Sequence, residues 1–207
     1  MLVTDLDTGN RLFHVHIPRT AGRFIRDMFK ENPRYRLNYT QYDRLILGVS
    51  VAHMHYPFYN MFPFVKDSPK FAVCRDPFTK FDYLIQFHIH QGDMTRDEVL
   101  RIDNRSAFFK FMTIVENKMP EYSNNWWRPQ YQFISPDTKI WKFEDGFNGE
   151  FTDWIRQNFG FDLQYDDKLI NKTVDVYDNL EYNVTYPNNI KDLVREYWYK
   201  DYETFGY

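Results

Sequence analysis

Residues 11–30 read RLFHVHIPRTAGRFIRDMFK, and this stretch decides the fold. Its first part, residues 11–17, is rich in apolar side chains and meets Pro18, which predicts a strand that ends at a loop. In its last part, residues 22–30, apolar side chains recur at helical spacing, which predicts a helix. The chain is therefore expected to pass from a strand through a tight loop into a helix.

Two later stretches predict strands beside the first. Residues 71–74 (FAVC) are continuously apolar, as in a buried parallel strand, and a helix is expected after them from Pro77 to about Gln91. Residues 139–143 (KIWKF) indicate a third buried strand. Further helices are expected after a capping box at residues 95–98, over residues 107–118 and 151–159, and from residue 190 almost to the end. Strands that alternate with helices predict an α/β fold, a parallel sheet flanked by helices on both faces.

The length and the charge exclude several classes of protein. The chain has 207 residues and no internal repeat or Ser/Gly-rich linker, so residues 1–207 are expected to form one domain. A net charge of -3 argues against a general nucleic-acid binder, although a local basic patch for a small anion is still allowed. The single cysteine, Cys74, excludes an intrachain disulfide framework and zinc sites built on paired cysteines.

The lengths of the apolar stretches indicate where in the cell the protein is expected. They are far shorter than the roughly 20 residues that cross a bilayer, and the N-terminus lacks the plan of a signal peptide. The chain is therefore expected to be soluble and cytoplasmic, without a membrane partner.

Aromatic residues make up 20% of the sequence. Two interpretations stay open for them: the rings fill the core, or some of them, including Trp126, Trp127 and Tyr131, line a groove for sugars or other flat ligands.

The loop between the first strand and its helix is a candidate anion site. It carries Arg19, Thr20 and Arg23, and Gly22 lies where the helix begins. The N–H groups and the dipole at a helix N-terminus favour negative charge, and the arginine fork matches phosphate or sulfate oxygens. The loop is not a Walker A motif, because it has no GxxxxGK followed by Ser or Thr.

A second cationic loop follows the neighbouring strand. Arg75 lies at the tip of that strand, and Lys80 lies one turn into the next helix. Ligands of such sheets bind at the carboxyl ends of the strands, so two cationic tips would suit a ligand with two separated anionic groups. A surface pair of Arg75 with Asp76 is the alternative interpretation.

Two histidines, His53 and His55, follow an apolar stretch at residues 49–51. A histidine opposite a phosphate-like loop is a natural general base at neutral pH, whereas a purely structural histidine is the alternative. No further cluster of His or Asp lies near them in the sequence, so no metal site is predicted.

Seven segments, taken in order, carry a family resemblance. They are residues 13–22 (FHVHIPRTAG), 52–55 (AHMH), 71–77 (FAVCRDP), 127–130 (WRPQ), 141–145 (WKFED), 169–173 (LINKT) and 199–207 (YKDYETFGY). Together they resemble the carbohydrate sulfotransferases, especially the uronyl 2-O-sulfotransferase-like branch. The first resembles that family's donor loop, and the third resembles its second binding motif. The matches extend over nearly the whole chain.

This resemblance implies a P-loop-like α/β fold, the sulfate donor 3′-phosphoadenosine 5′-phosphosulfate (PAPS) and transfer of its sulfuryl group to a hydroxyl of an acceptor, in the first place a saccharide. It implies no metal. The residues that would wrap the 5′-phosphosulfate are Pro18, Arg19, Thr20, Ala21, Gly22, Arg23 and Phe24. Arg75 would hold the 3′-phosphate, and Arg19 would stabilise charge on the leaving oxygen. His53 would take the proton from the acceptor, with His55 assisting.

The sequence departs from the family at three positions. Arg19 and Lys80 replace other basic residues, which keeps the charge. Asp82 stands where the family has a serine that bonds the 3′-phosphate, and a carboxylate there would repel that phosphate unless Lys80 or Arg75 neutralises it.

Three alternatives to an active sulfotransferase stay open. They are a degenerate member that binds donor without turnover, a P-loop-like phosphotransferase that uses ATP, and a carbohydrate-binding domain. The lack of a Golgi-type anchor in this sequence predicts a microbial or viral source, or else a sequence trimmed from a longer protein.

Overall fold

The computed structural model describes residues 1–40, 45–46, 49–118, 125–164 and 184–207. Its strands are β1 (Leu2–Asp5), β2 (Arg11–Val15), β3 (Tyr35–Asn38), β4 (Leu45–Ile46), β5 (Val49–Ser50), β6 (Lys70–Cys74) and β7 (Thr138–Lys142). Five of them form one sheet in the order β3-β1-β2-β6-β7, and β4 pairs with β5 in a separate ribbon. The three strands predicted from the sequence are β2, β6 and β7. The first two are neighbours, as predicted, and β7 pairs with β6.

The helices are α1 (Gly22–Lys30), α2 (Pro63–Lys66), α3 (Pro77–Gln91), α4 (Arg96–Leu100), α5 (Arg105–Lys118), α6 (Gly149–Phe159), α7 (Ile190–Tyr197) and α8 (Tyr199–Phe205). Helices α1 and α3 have the predicted bounds. The predicted capping box is present, because Thr95 and Glu98 bond each other's backbone N–H groups at the start of α4. Among the described residues, no helix has the length and apolar character needed to span a membrane.

The prediction of a parallel sheet is wrong for one strand. The pairs β2–β6 and β6–β7 are parallel, but β1 runs antiparallel to both of its neighbours, β2 and β3. The reason is local: only five residues separate β1 from β2, and a connection that short can join adjacent strands only in antiparallel order. The sheet is therefore mixed, with β1 reversed between β2 and β3.

The two faces of the sheet bury different layers, because alternate residues of a strand point to opposite faces. On one face Leu12 and Phe71 pack against apolar residues of α1 and α6. On the other face Phe13 and Ala72 pack against Tyr59 and its neighbours, including α2. Helices α3, α5 and α7 enclose a third apolar cluster around Phe81 and Trp127. Helices therefore cover both faces, as the sequence predicts.

The C-terminal helix is divided, which corrects the prediction of one continuous helix. Trp198 leaves helical geometry (φ −102°, ψ 32°) between α7 and α8. Its ring is buried against Phe81, at 6.3 Å between ring centroids. The change of direction lets Asp201, in α8, accept hydrogen bonds from the backbone of Gln130 and Tyr131. The last helix thus docks onto the segment that supports the candidate site.

Candidate active site

The loop between β2 and α1 has the backbone of an anion-binding concavity. The angle φ is positive at Arg19 (69°) and at Ala21 (67°) but not at Thr20 between them. Alternation of this kind turns successive N–H groups toward one point and forms a nest for anions. A left-handed residue other than glycine costs roughly 1–2 kcal/mol, and such strain is found mainly at functional sites. The Thr20 hydroxyl secures the turn by donating to the Ile17 carbonyl at 2.9 Å.

Helix α1 begins in this loop without a side-chain cap among the described residues. Its first N–H groups carry the positive end of the helix dipole, which favours negative charge at this point. Gly22 is required here for a reason of space: a Cβ atom on it would lie 1.8 Å from Nε2 of His16. The imidazole of His16 thus packs directly against the start of the helix.

Arg19 is held by aromatic rings. Its guanidinium carbon lies 3.6 Å from the centroid of Phe87, 4.1 Å from Trp126 and 5.3 Å from Tyr83. Stacking on ring faces restricts the orientation of a guanidinium plane. Tyr83 and Phe87 lie four residues apart on α3, so the helix after Arg75 builds most of this cage.

Arg75 stands one residue beyond β6 and flanks the same tyrosine. Its guanidinium carbon lies 5.2 Å from the centroid of Tyr83 and 4.3 Å from Phe143. The structure therefore brings Arg19 and Arg75 together on one aromatic ring, as the strand-tip argument predicts. The Nε of Arg75 is buried and has no hydrogen-bond partner among the described residues. Burial lowers the pKa of Arg75, while Tyr83 and the nearby acidic residues, Glu144 among them, act in the opposite direction.

Asp76 does not form the surface pair with Arg75 that was the alternative interpretation. Its carboxylate caps α3 by accepting from the N–H of Thr79 at 2.7 Å. Its own N–H donates to Glu144 at 2.8 Å, and Glu144 also accepts from the hydroxyl of Tyr207 at 2.7 Å. The loop after β6 is thus tied to the loop after β7 and to the last residue of the sequence.

His53 lies at the end of a 3-10 turn (Val51–His53) and is buried. Its ring meets His16 edge-on at 4.5 Å between centroids, and its Nδ1 has no hydrogen-bond partner among the described residues. Burial lowers the pKa of His53 to about 3, with further contributions from the N-terminal amine and from Arg19. The ring is therefore neutral at pH 7 and has its basic form ready.

His55 is half-buried, and its ring meets Phe58 edge-on at 4.9 Å. Burial, with Arg128 as the second cause, lowers its pKa to about 4. His55 is therefore a second neutral imidazole in the same short segment as His53. The two histidines flank Met54, which is buried in the core.

Lys80 is not brought together with the two arginines. Its side chain is fully buried, and its Nζ donates to the carbonyl oxygen of Arg128 at 2.8 Å. Burial lowers its pKa to about 8, while Asp201 acts in the opposite direction. In this conformation its ammonium group forms a hydrogen bond inside the protein and is not directed at the arginines.

Asp82 already has partners inside the protein. Its two oxygens accept from the hydroxyl of Tyr186 at 2.7 Å and from the amide of Gln86 at 2.8 Å. It therefore faces the segment that precedes α7, whereas Tyr83 and Phe87 on the same helix face Arg19. The carboxylate still contributes a favourable charge interaction to Arg75.

The remaining predicted residues divide between backbone and side-chain roles. Pro18 and Phe24 are buried, so they would contribute backbone at most, and Arg23 is exposed at the rim. Trp127 belongs to the core, since it is 1% exposed and its indole N–H donates to His88 at 3.2 Å. Trp126 forms part of the cage around Arg19. The matching segment at residues 169–173 lies outside the described residues.

Sequence reasoning missed the residues that support the arginines. Tyr83 and Phe87 are spaced i and i+4 on a helix that starts at the second cationic loop, and this spacing was a readable signal. Gln130 and Glu144 gave no comparable signal, because their roles depend on contacts between segments far apart in sequence.

The site as a whole places Arg19 and Arg75 at the ends of two neighbouring strands, with the buried imidazole of His53 packed against His16 beside the loop. A comparison with protein-family models, curated proteins and solved structures finds no match to this chain. Its function is therefore argued from the site itself.

Proposed function

We propose that this protein is a sulfotransferase that moves a sulfuryl group from PAPS to a hydroxyl of an acceptor, in the first place a saccharide. The observation that carries the proposal is the nest of residues 18–24 at an uncapped helix N-terminus, next to Arg75, whose buried Nε lacks a partner among the described residues. Two anion sites on adjacent strand tips fit an adenylate with a 5′-phosphosulfate and a 3′-phosphate.

Each residue has a role that follows from its position. The backbone N–H groups of residues 19–24 bind the 5′ end, and Arg19, held between Phe87 and Trp126, stabilises charge on the oxygen that leaves. Arg75 binds the 3′-phosphate. PAPS supplies an activated sulfuryl group for an in-line displacement, so positioning and charge stabilisation by the protein account for most of the rate.

His53 accepts the proton of the acceptor hydroxyl, with His55 assisting. Its imidazole is neutral at pH 7, so no proton must be lost before it acts as a base. The bound anionic donor would raise the pKa of His53 toward the range in which a base is most effective, because a nearby negative charge favours the imidazolium form.

A second candidate function is donor binding without turnover. It is favoured by the burial of His53 and by the low pKa of both His53 and His55, since weak bases are poor proton acceptors. A phosphotransferase that uses ATP has less support, because the Thr20 hydroxyl, which would otherwise serve Mg²⁺, is buried and donates to the Ile17 carbonyl.

The test is transfer of radiolabelled sulfate from PAPS to a mixed panel of glycans, with wild-type protein, His53→Ala and the exposed-site control His90→Ala. We expect labelled glycan with wild type and His90→Ala, and a loss of at least about 100-fold with His53→Ala. Saturable donor binding without transfer in any variant would favour the second candidate. No binding of donor would contradict both.

A further inference from the structure

The side chain of Gln130 forms two hydrogen bonds with the backbone of Arg75. Its amide N–H donates to the Arg75 carbonyl at 2.7 Å, and its amide oxygen accepts from the Arg75 N–H at 3.0 Å. Gln130 is 0% exposed. A buried side chain with both polar atoms satisfied by a single residue has a fixed geometry.

These two hydrogen bonds lie just beyond the point where strand pairing in the sheet ends. The ladder between β6 and β7 ends at the pair Cys74–Lys142, and the ladder between β2 and β6 ends earlier, at Val15–Ala72. Arg75 therefore lies one residue beyond the last strand pairing. A glutamine side chain presents one donor and one acceptor, as a peptide group does, so Gln130 replaces the missing strand at this position.

The backbone of Gln130 is held in turn by Asp201. One carboxylate oxygen of Asp201 accepts from the Gln130 N–H and the other from the Tyr131 N–H, both at 2.8 Å. Asp201 is fully buried in α8. A chain of hydrogen bonds thus runs from the last helix through Gln130 to the backbone of Arg75, whose Cα–Cβ direction it fixes.

We propose that Gln130 is a positioning residue that acts through Arg75 and sets the affinity of the site for the second anionic group of the ligand. The proposal rests on the proposed function, in which Arg75 binds the 3′-phosphate. Gln130 touches no ligand. Its effect is therefore confined to the anion that Arg75 binds and is not shared by the 5′ end in the nest.

The experiment compares two nucleotides that differ only in that anion, 3′-phosphoadenosine 5′-phosphate and adenosine 5′-phosphate. Their affinities are measured by calorimetry for wild type, Gln130→Met and Gln132→Met. Gln132 is a matched control: it lies in the same 3-10 turn (Gln130–Gln132), and its side chain bonds Arg128 and Tyr131 but not Arg75.

We expect Gln130→Met to lower the affinity for the bisphosphate about tenfold, since two hydrogen bonds that hold Arg75 are lost, and to leave the affinity for the monophosphate within about twofold. Gln132→Met should leave both unchanged. Equal losses for both nucleotides, or no loss with Gln130→Met, would overturn the inference. Failure of wild type to bind the bisphosphate would instead overturn the proposed function, and the inference with it.

A second variant keeps the test valid if Gln130→Met does not fold. In Gln130→Glu the side chain has the same shape but, when ionised, it cannot donate to the Arg75 carbonyl. Once protonated, the carboxyl group regains a donor and an acceptor. The ratio of bisphosphate to monophosphate affinity, taken relative to wild type, should therefore recover as pH falls from 8 to 5. A ratio equal to wild type at every pH would contradict a positioning role.

Discussion

The two ends of strand β6 carry cations in opposite situations. At its start the ammonium group of Lys70 is buried and donates to three oxygens, those of Lys66, Ser68 and Asp137, at 2.9–3.1 Å. Beyond its end the guanidinium of Arg75 lies between the rings of Tyr83 and Phe143, and its buried Nε has no hydrogen-bond partner among the described residues. The ammonium group of Lys70 thus has three oxygen partners, whereas the Nε of Arg75 has none among the described residues.

This difference separates structural cations from binding cations. A buried charge is costly unless oxygens replace its water, and under the proposed function the anion of the ligand supplies them to Arg75. Lys80 belongs with Lys70, since its Nζ donates to the Arg128 carbonyl. Arg19 shares aromatic surroundings with Arg75 and lies in a strained loop, and the proposed function assigns it to the ligand as well. The contrast predicts which substitutions harm stability and which harm binding.

The largest effect is expected from Arg19→Ala. Loss of the charge next to the leaving oxygen should lower sulfotransfer by about 10³-fold, as removal of a charge-stabilising group does in other enzymes, while the thermal transition is retained. Transfer assays and thermal unfolding check both parts. Arg36→Ala, at an exposed arginine of β3, is the control and should leave the rate unchanged. A normal rate with Arg19→Ala would remove Arg19 from the chemistry.

The comparison itself is tested by substituting both ends of β6 with methionine. Arg75→Met should lower the affinity for 3′-phosphoadenosine 5′-phosphate about 100-fold without loss of stability, because the guanidinium is incompletely bonded. Lys70→Met should leave the affinity unchanged and lower the free energy of unfolding by about 2 kcal/mol, because three hydrogen bonds are lost and the Ser68 carbonyl loses a buried donor. Calorimetry and urea unfolding measure the two quantities. Loss of affinity with Lys70→Met, or loss of stability alone with Arg75→Met, would contradict the assignment of Lys70 to structure and of Arg75 to binding.

Lys80 offers a pH-dependent version of the same contrast. Its pKa is about 8 in the folded chain and about 10.5 in the unfolded chain, so between these values the unfolded state binds more protons and stability rises with pH. From pH 8 to pH 10 this contribution is about 2 kcal/mol. The gain should be present in wild type and absent in Lys80→Met, as measured by urea unfolding at each pH. Parallel curves for the two proteins would mean that Lys80 is not buried as a cation.

The smallest effect is expected from Asp82→Ser. The carboxylate is held by Tyr186 and Gln86, so the change should alter the affinity for 3′-phosphoadenosine 5′-phosphate by less than about threefold. Calorimetry at constant ionic strength checks this. A rise of tenfold or more would mean that Asp82 faces the 3′-phosphate, as the resemblance to the sulfotransferases implies.

The sequence predicts the local parts of this structure well. Helices α1 and α3 follow from apolar spacing and a first-turn proline, both of which act within a few residues. The meeting of Arg19 with Arg75 also follows, since tips of adjacent parallel strands share an edge. Strand β1 was missed because its four residues become a strand only through pairing with β2 and β3.

The direction of a side chain on a helix was harder to predict. Lys80 and Tyr83 are both close to Arg75 in sequence, yet Lys80 points to the Arg128 carbonyl and Tyr83 points to the arginines. What decides this is the position of residues 128 and 201, which distant segments bring to α3. The roles of Gln130 and Glu144 depend on the same long-range contacts.

The most direct test of the central claim is a calorimetric titration of the wild-type chain with 3′-phosphoadenosine 5′-phosphate at two salt concentrations. If the nucleotide occupies the two cationic strand tips, it binds one site per chain, binding weakens as salt increases, and Arg75→Met binds far more weakly than Lys70→Met. Absence of heat with the wild-type chain, or equal binding by these two variants, would contradict the account.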